Sequence, residues 1–226
     1  MKITFYGHAC FGIESNGISI IIDPFISPNP LAKSIDIDAI KADYILISHG
    51  HEDHVADALY LAKKNDATIV SNFEIVNWFA EQGHGKGHPM NHGGKKDFNT
   101  FSVKYVNAVH SSVLPDGKYG GNPGGFVIKA NGKCIYFAGD TALHMDMKLL
   151  GEYENLDAAI LPIGDNFTMG IEDAYIASEF IQCKKVIGMH YDTFPYIEID
   201  SAYAVDYFMK RNSELILVEI GENLNI

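Results

Sequence analysis

The sequence predicts an α/β (α+β) fold, a four-layer αββα sandwich in which two mixed β-sheets pack face to face with helices outside. Three observations predict it. Short apolar runs of strand length alternate with stretches whose apolar residues recur at helical spacing. Two Asn-Gly hairpin signals, Asn16-Gly17 and Asn131-Gly132, each lead through an apolar strand to a terminal aspartate, Asp23 or Asp140, and then through a loop to an Asp-led apolar strand, Asp43-Tyr44-Ile45-Leu46-Ile47 or Asp157-Ala158-Ala159-Ile160-Leu161. That order occurring twice suggests a duplication, with a single domain over 1–226 built from pseudo-duplicated halves of about 1–110 and 111–226. Strand after strand stops at His or Asp, so two facing sheets would carry those ends to one rim.

In chain order, residues 2–6 and 10–14 read as short strands, and Asn16-Gly17 turns the second into Ile18 to Ile22, which ends at Asp23-Pro24. Phe25 to Ser34, with Pro28 and Pro30, reads as an irregular loop. The strand at 44–48 runs into His49-Gly50-His51-Glu52-Asp53-His54, and Val55 to Lys64 carries Val55, Leu59 and Ala62 at helical spacing. Thr68 to Val70 is a short strand. Phe73 to Gln82 is a helix with Phe73, Val76, Trp78 and Phe79 inward, stopped by Gly83. Gly83 to Gly94 reads as a loop rich in His and Gly, and Phe101 to Val109 as a strand delivering His110. A Gly/Pro-rich loop, Ser111 to Gly124, precedes the hairpin of Phe126 to Ala130 and Lys133 to Ala138, which ends in Gly139-Asp140. Asp157 to Pro162 is a buried strand, Ile171 to Gln182 a helix, Lys185 to Met189 a strand ending in His190, Ser201 to Arg211 a helix, and Leu215 to Ile220 the last strand.

Composition narrows the function. A chain of 226 residues with 47% hydrophobic residues and a mean hydropathy near zero buries a core without staples. A net charge of −12 disfavours binding to a nucleic-acid backbone, which depends on clustered Lys and Arg. Cys10, Cys134 and Cys183 are odd in number, far apart and without a Cys-x-x-Cys pair, so they read as reduced residues of a cytoplasmic protein. The N-terminus alternates like a strand, and neither a signal peptide nor a bilayer-spanning run is expected.

At a strand end after Ser48, the six positions His49 to His54 pack three imidazoles and the Asp53 carboxylate, with Glu52 beside it. A lone loop histidine is usually solvated or hydrogen-bonded, and Glu-Asp is ordinary surface. At this density, neutral imidazole and carboxylate form a ligand set that suits zinc, iron, manganese or nickel. His110, Asp140 and His190 end three more apolar strands and are of the same chemical kind.

His-x-His-x-Asp-His followed by an isolated His, an Asp and a final His resembles the metallo-β-lactamase superfamily over the whole chain. The resemblance implies two divalent metal ions (Zn, Mn, Ni or Fe), one on His49, His51 and His110, the other on Asp53, His54 and His190, bridged by Asp140 and a water. Two cations so placed lower the pKa of the bridging water towards ~7. Asp53 is then also a catalytic candidate that orients the hydroxide, and Asp23 a hydrogen-bond acceptor behind a ligand histidine. Gly7-His8-Ala9-Cys10-Phe11 and His88 to Gly94 are similar to a narrower branch that contains L-ascorbate-6-phosphate lactonase and short metal-dependent hydrolases. His8, ending the first strand, is a second catalytic candidate, weighed against simple strand-end hydrogen bonding. Asn91 and His92 are candidates for touching substrate, and Tyr119 and Phe167 for pocket walls. His84, His88 and His144, like His92, otherwise read as solvated loop residues.

The expectation is a metal-dependent hydrolase that turns a metal-bridging hydroxide on a small ester or lactone, polar or anionic, with a phosphodiesterase as the alternative. Flavodiiron proteins, which reduce oxygen or nitric oxide, resemble His-x-Glu-x-Asp where this chain has His51, and carry a flavin domain absent here. A nuclease is disfavoured by charge, and a scaffold without metals by the filled ligand positions. No nucleic acid or membrane partner is expected. Relatives in the branch are often oligomeric, so a homo-oligomer is among the expectations.

Overall fold

The central strands are buried almost continuously, on both faces, and the division of each strand's apolar residues between those faces makes the layers. The computed structural model describes residues 1–226. The first sheet has the order β14-β1-β2-β3-β4-β5-β6, with β1 Lys2–Gly7, β2 Cys10–Ser15, β3 Ile18–Ile22, β4 Tyr44–Leu46, β5 Thr68–Asn72, β6 Gly87–Met90 and β14 Asn223–Asn225. The second has the order β13-β12-β11-β10-β9-β8-β7, with β7 Lys95–Asp97, β8 Phe101–Asn107, β9 Gly124–Ala130, β10 Lys133–Phe137, β11 Ala158–Pro162, β12 Lys185–Met189 and β13 Glu214–Ile216. Both sheets are mixed in the same way. Strands β1 to β3 pair antiparallel and β3 to β6 parallel. Strands β8 to β10 pair antiparallel and β10 to β13 parallel. At the remaining edges β14 flanks β1, and β7 flanks β8.

Both Asn-Gly pairs turn as the sequence requires, with φ of 51° and 77° at Asn16 and Gly17 and 51° and 72° at Asn131 and Gly132. Along β3 and β4, Ile20, Ile22 and Leu46 join the core between the sheets, while Ile21 and Ile45 face away. The sheets meet through rings such as Phe11 and Phe137, 6.3 Å apart. Helices α1 Glu52–Val55, α2 Ala58–Asn65 and α3 Phe73–Glu81 cover the first sheet, and α4 Met147–Tyr153, α5 Ile171–Phe180 and α6 Ser201–Met209 the second. No helix is long and apolar enough to cross a membrane, and all three cysteines are buried and unpaired.

Several expected elements differ. The helix expected over Val55 to Lys64 is broken, because the buried Asp57 accepts hydrogen bonds from the amides of Ile26 (2.6 Å) and Ser27 (2.9 Å), anchoring the loop after β3. Phe73 is 55% exposed rather than inward: the Asn72 side chain caps α3 by accepting from the Ile75 amide, which sets Ile75, Val76 and Phe79 against the sheet. The expected loop Gly83 to Gly94 contains β6, whose Pro89 is tolerated because the strand lies at an edge. The strand expected to reach Val109 ends at Asn107. The last strand is not Leu215 to Ile220; β13 stops at Ile216 and the chain returns to pair β14 with β1.

Candidate metal centre

Six strand ends deliver the site. Strand β4 leads through Ile47 and Ser48 to His49, and α1 begins one residue after His51, so Asp53 and His54 lie in its single turn. Strand β8 leads to His110 and β10, through the left-handed Gly139 (φ 64°), to Asp140. His8, Asp23 and His190, at the ends of β1, β3 and β12, are themselves left-handed, with φ of 56°, 44° and 56°. Such a backbone costs about 1–2 kcal/mol for an ordinary side chain, and it turns each chain sharply off its strand. The sheets are tied together here, since the His190 amide donates to the His8 carbonyl (2.8 Å) and the Tyr105 hydroxyl to the Ser48 carbonyl (2.8 Å).

Potential ligand atoms of His49, His51 and His110 all lie within 4.8 Å of one another, as do those of His8, Asp53, His54 and His190. Asp140 stands between the groups. Its Oδ2 is 3.0 Å from His190 Nε2, 3.4 Å from His54 Nε2, 3.6 Å from His110 Nε2 and 3.9 Å from His49 Nε2.

Proton positions follow from the partners behind the rings. Asp23, fully buried, accepts from the Ser48 amide (2.7 Å), the Ser48 hydroxyl and His54 Nδ1 (2.8 Å). With its own proton committed to Asp23, Ser48 Oγ must accept from His49 Nδ1, 3.0 Å away. His51 Nε2 lies 3.2 Å from Ser111 Oγ. The nitrogens left bare are His49 Nε2 and His54 Nε2, and His51 Nδ1 faces the former at 3.0 Å. His54 Nε2 and Asp140 Oδ1 are buried without any hydrogen-bond partner, which a metal ion would supply. The residues therefore fit a divalent cation.

The electrostatics agree. Burial lowers the pKa of His49, His51 and His110, keeping them in the neutral, ligating form. Burial also opposes the charges on His54 and Asp140, yet the carboxylates of Asp140, Asp53 and Asp23 raise the former well above the usual range, and His190 and His54 hold the latter well below it. Asp53 is likewise lowered despite its burial, by His54 and His8. Carboxylates so placed call for positive charge, and a proton and a metal compete for the same lone pair of His54.

A cavity of about 300 Å³ opens over the cluster, lined by His51, Asp53, His110, Ser111, Asp140, Phe167, His190 and Phe194. Of the residues expected near substrate, only Phe167 is brought there. The ring of His92 is held by the Pro123 carbonyl (2.9 Å) and stacks on Tyr105, Asn91 folds back on the His92 amide, and Tyr119 is 62% exposed with its hydroxyl on Asn122. The loop carrying Tyr119 is held by Asn72, which donates to the Gly120 carbonyl, and by the Gly50 amide, which donates to Ser112 Oγ. His84 bonds the Ala67 carbonyl, His88 packs beside Phe98, and His144 lies outside the cluster. Sequence reasoning missed Ser48, Ser111, Thr193 and Phe194. The first two are hydroxyls adjacent in sequence to a histidine of the cluster, which was a usable signal; the others carry none.

The family profile described as the beta-lactamase superfamily domain matches residues 2–190. A UPF0173 metal-dependent hydrolase from Christiangramia forsetii is 56% identical over the full length of both chains, and one from Methylacidiphilum infernorum 48% identical over 99% of each. Among solved structures, Igni18, a metallo hydrolase from the archaeon Ignicoccus hospitalis, superposes with a TM-score of 0.90 at 34% identity, covering 99% of this chain and 97% of that one. Sequence, fold and a histidine-aspartate cluster suited to a cation thus converge, and the chain belongs to the beta-lactamase superfamily, among its UPF0173 metal-dependent hydrolases.

Proposed function

We propose that the chain hydrolyses a small ester or lactone, with one divalent cation on His49, His51 and His110 and a second on Asp53, His54 and His190. The observation that carries the pairing is Asp140, whose single oxygen faces imidazole nitrogens of both groups at 3.0–3.9 Å. Bound there, the cations supply a Lewis acid and make water nucleophilic at neutral pH. Asp53, at the cavity surface, orients the attacking water, with His8 bonded to its Oδ2 at 3.1 Å. Asp23 fixes the rings of His49 and His54 from behind. Phe167 and Phe194 pack the uncharged part of the substrate and exclude water.

The ester reading is preferred to a small phosphoester because no Lys or Arg lines the cavity, where a phosphate would be met by basic side chains. His/Asp ligands of this kind accept zinc, manganese, nickel or iron. Unpaired buried thiols suit the cytoplasm. The matching strand pairings of β1 to β6 and β8 to β13 support an ancestral duplication within one domain.

The test is metal analysis together with a panel of lactones, phosphodiesters and thioesters assayed with manganese, nickel and zinc. About two equivalents per chain and lactone or ester turnover, lost in His51→Ala and Asp140→Ala with the fold intact, are expected. Turnover of phosphodiesters alone would establish the alternative, and turnover surviving either substitution would remove the proposed centre.

A further inference from the structure

His8 lies close enough to Asp53, His54 and His190 to be a fourth ligand of the second cation. Its surroundings argue otherwise. The ring is buried between Phe25 and Phe194, with centroids 5.5 and 5.4 Å away, and packs against the ring of His190 at 4.2 Å. Its Nε2 is 3.1 Å from Asp53 Oδ2 and its Nδ1 is 3.0 Å from Thr193 Oγ1.

We propose that His8 is a positioning residue rather than a metal ligand: its Nε2–H holds Asp53, and the Thr193 hydroxyl, donating to Nδ1, fixes that tautomer. This rests on the reading that Asp53 binds the second cation. A carboxylate oxygen only accepts, so a bare Nε2 at 3.1 Å would set two acceptors against each other in a buried site. Nε2 therefore carries the proton, and the neutral ring must accept at Nδ1. Thr193 is the donor in reach. Its other acceptor, the Tyr191 carbonyl, is farther at 3.2 Å and already accepts the Thr193 amide at 2.8 Å.

The contrast with the ligand histidines is chemical. Behind His54 stands a carboxylate, and behind His49 a hydroxyl whose proton is already committed to Asp23. Both demand Nδ1–H and leave Nε2 bare towards the cluster. Behind His8 stands a hydroxyl whose alternative acceptor, the Tyr191 carbonyl, is farther away and already takes the Thr193 amide, and the opposite tautomer results. One threonine thereby separates a ring that holds a ligand from rings that are ligands.

The experiment uses the full chain loaded with zinc. Ring ¹⁵N spectra, with the His8 signals assigned by their loss in His8→Gln, report the tautomer, and competition with a chelator reports zinc affinity. The expected result is a neutral Nε2–H ring whose proton moves at least partly to Nδ1 in Thr193→Val but not in Thr193→Ser. His8→Leu should weaken the second zinc by about 10–100-fold, and His8→Gln, whose amide can donate to Asp53, should restore most of it. A zinc-bound Nε2, a ring protonated on both nitrogens, or equal weakening in the Leu and Gln variants would overturn the proposal. The tautomer is read without turnover, so loss of the hydrolase reading, seen as no zinc response to His51→Ala and Asp140→Ala, is a separate result.

Discussion

Replacing Asp23 tests how the centre is held. Its carboxylate accepts the Ser48 amide at 2.7 Å, the Ser48 hydroxyl and His54 Nδ1 at 2.8 Å, all out of contact with water. Asp23→Ala leaves three buried donors without partners, each costing about 1–3 kcal/mol, offset in part by no longer burying a carboxylate. We expect a net loss of about 3–5 kcal/mol, a large share of the 5–15 kcal/mol that holds a typical domain. For a chain of this length the melting temperature should fall by about 6–11 °C. Asp23→Asn separates stability from cation binding. The amide retains an acceptor for Ser48, but its NH₂ faces His54 Nδ1, so the imidazole proton moves to Nε2 and occupies the lone pair aimed into the cluster. Cation affinity should fall by about 10–100-fold, with a smaller change in stability than in the alanine variant. Urea unfolding at constant m-value and zinc competition measure the two effects. Loss of under 1 kcal/mol in Asp23→Ala, or unchanged zinc affinity in Asp23→Asn, would refute the tautomer argument.

Other perturbations read separate parts of the structure. A Cβ on Gly164 would meet the His190 carbonyl oxygen at 2.1 Å, so Gly164→Ala should cost about 1–3 kcal/mol and weaken the second cation by displacing His190; zinc titration alongside thermal melting checks both. Phe167, 52% exposed at the cavity mouth, should when replaced by Ala raise KM for apolar esters about tenfold with stability changed by less than about 0.5 kcal/mol, as initial rates and melting would show. Chelation should lower the melting temperature by several degrees, since a ligand at a hundred times its Kd contributes about 2.7 kcal/mol, and zinc should restore it. Burial opposes ionisation of Glu154, but Lys129 and Lys104 hold its carboxyl below the ordinary range. A folded pKa below the unfolded one stabilises above the unfolded value of ~4.3 and is lost as pH falls through the folded value. Glu154→Gln should therefore be less stable than the parent at pH 7 by about 0.5–1 kcal/mol and indistinguishable from it once the carboxyl protonates, as urea curves across pH would record.

What was legible in the sequence is what local chemistry dictates. Alternating Ile and Val, the Asn-Gly turns and the His/Asp strand ends are short-range signals, and they located most central strands and all nine polar residues of the cluster. Elements whose existence depends on remote partners were not legible. Strand β14, Asn223-Leu224-Asn225, has no strand-like pattern and forms because β1 offers an open edge. Strand β7, Lys95-Lys96-Asp97, is exposed throughout and exists only as the edge of β8. His92 drew attention as a histidine in a glycine-rich loop, yet a carbonyl of another loop and the Tyr105 ring decide where it points. Conversely Thr193 looks like any loop threonine until the fold brings it 3.0 Å from His8, 185 positions away.

The two halves share a plan and diverge where chemistry begins. Ile20 pairs with Tyr44 as Ile135 pairs with Ala158, and the Asp23 amide donates to Leu46 as the Ala138 amide donates to Ile160. In this register Asp23 corresponds to Ala138, not to Asp140, and Ser48 to Pro162. The substitutions are matched: Ser48 has an amide that needs an acceptor and finds Asp23, whereas Pro162 has no N–H and needs none from Ala138. Freed of that duty, the second half passes through left-handed Gly139 and sets its carboxylate two residues farther out, on Asp140. A Cβ at Gly139 would lie 2.6 Å from the Gly124 carbonyl and 2.9 Å from Ser48 Cβ, so this step from one half to the other requires glycine. One carboxylate thus stands behind the imidazoles and fixes their protons, and the other stands among them.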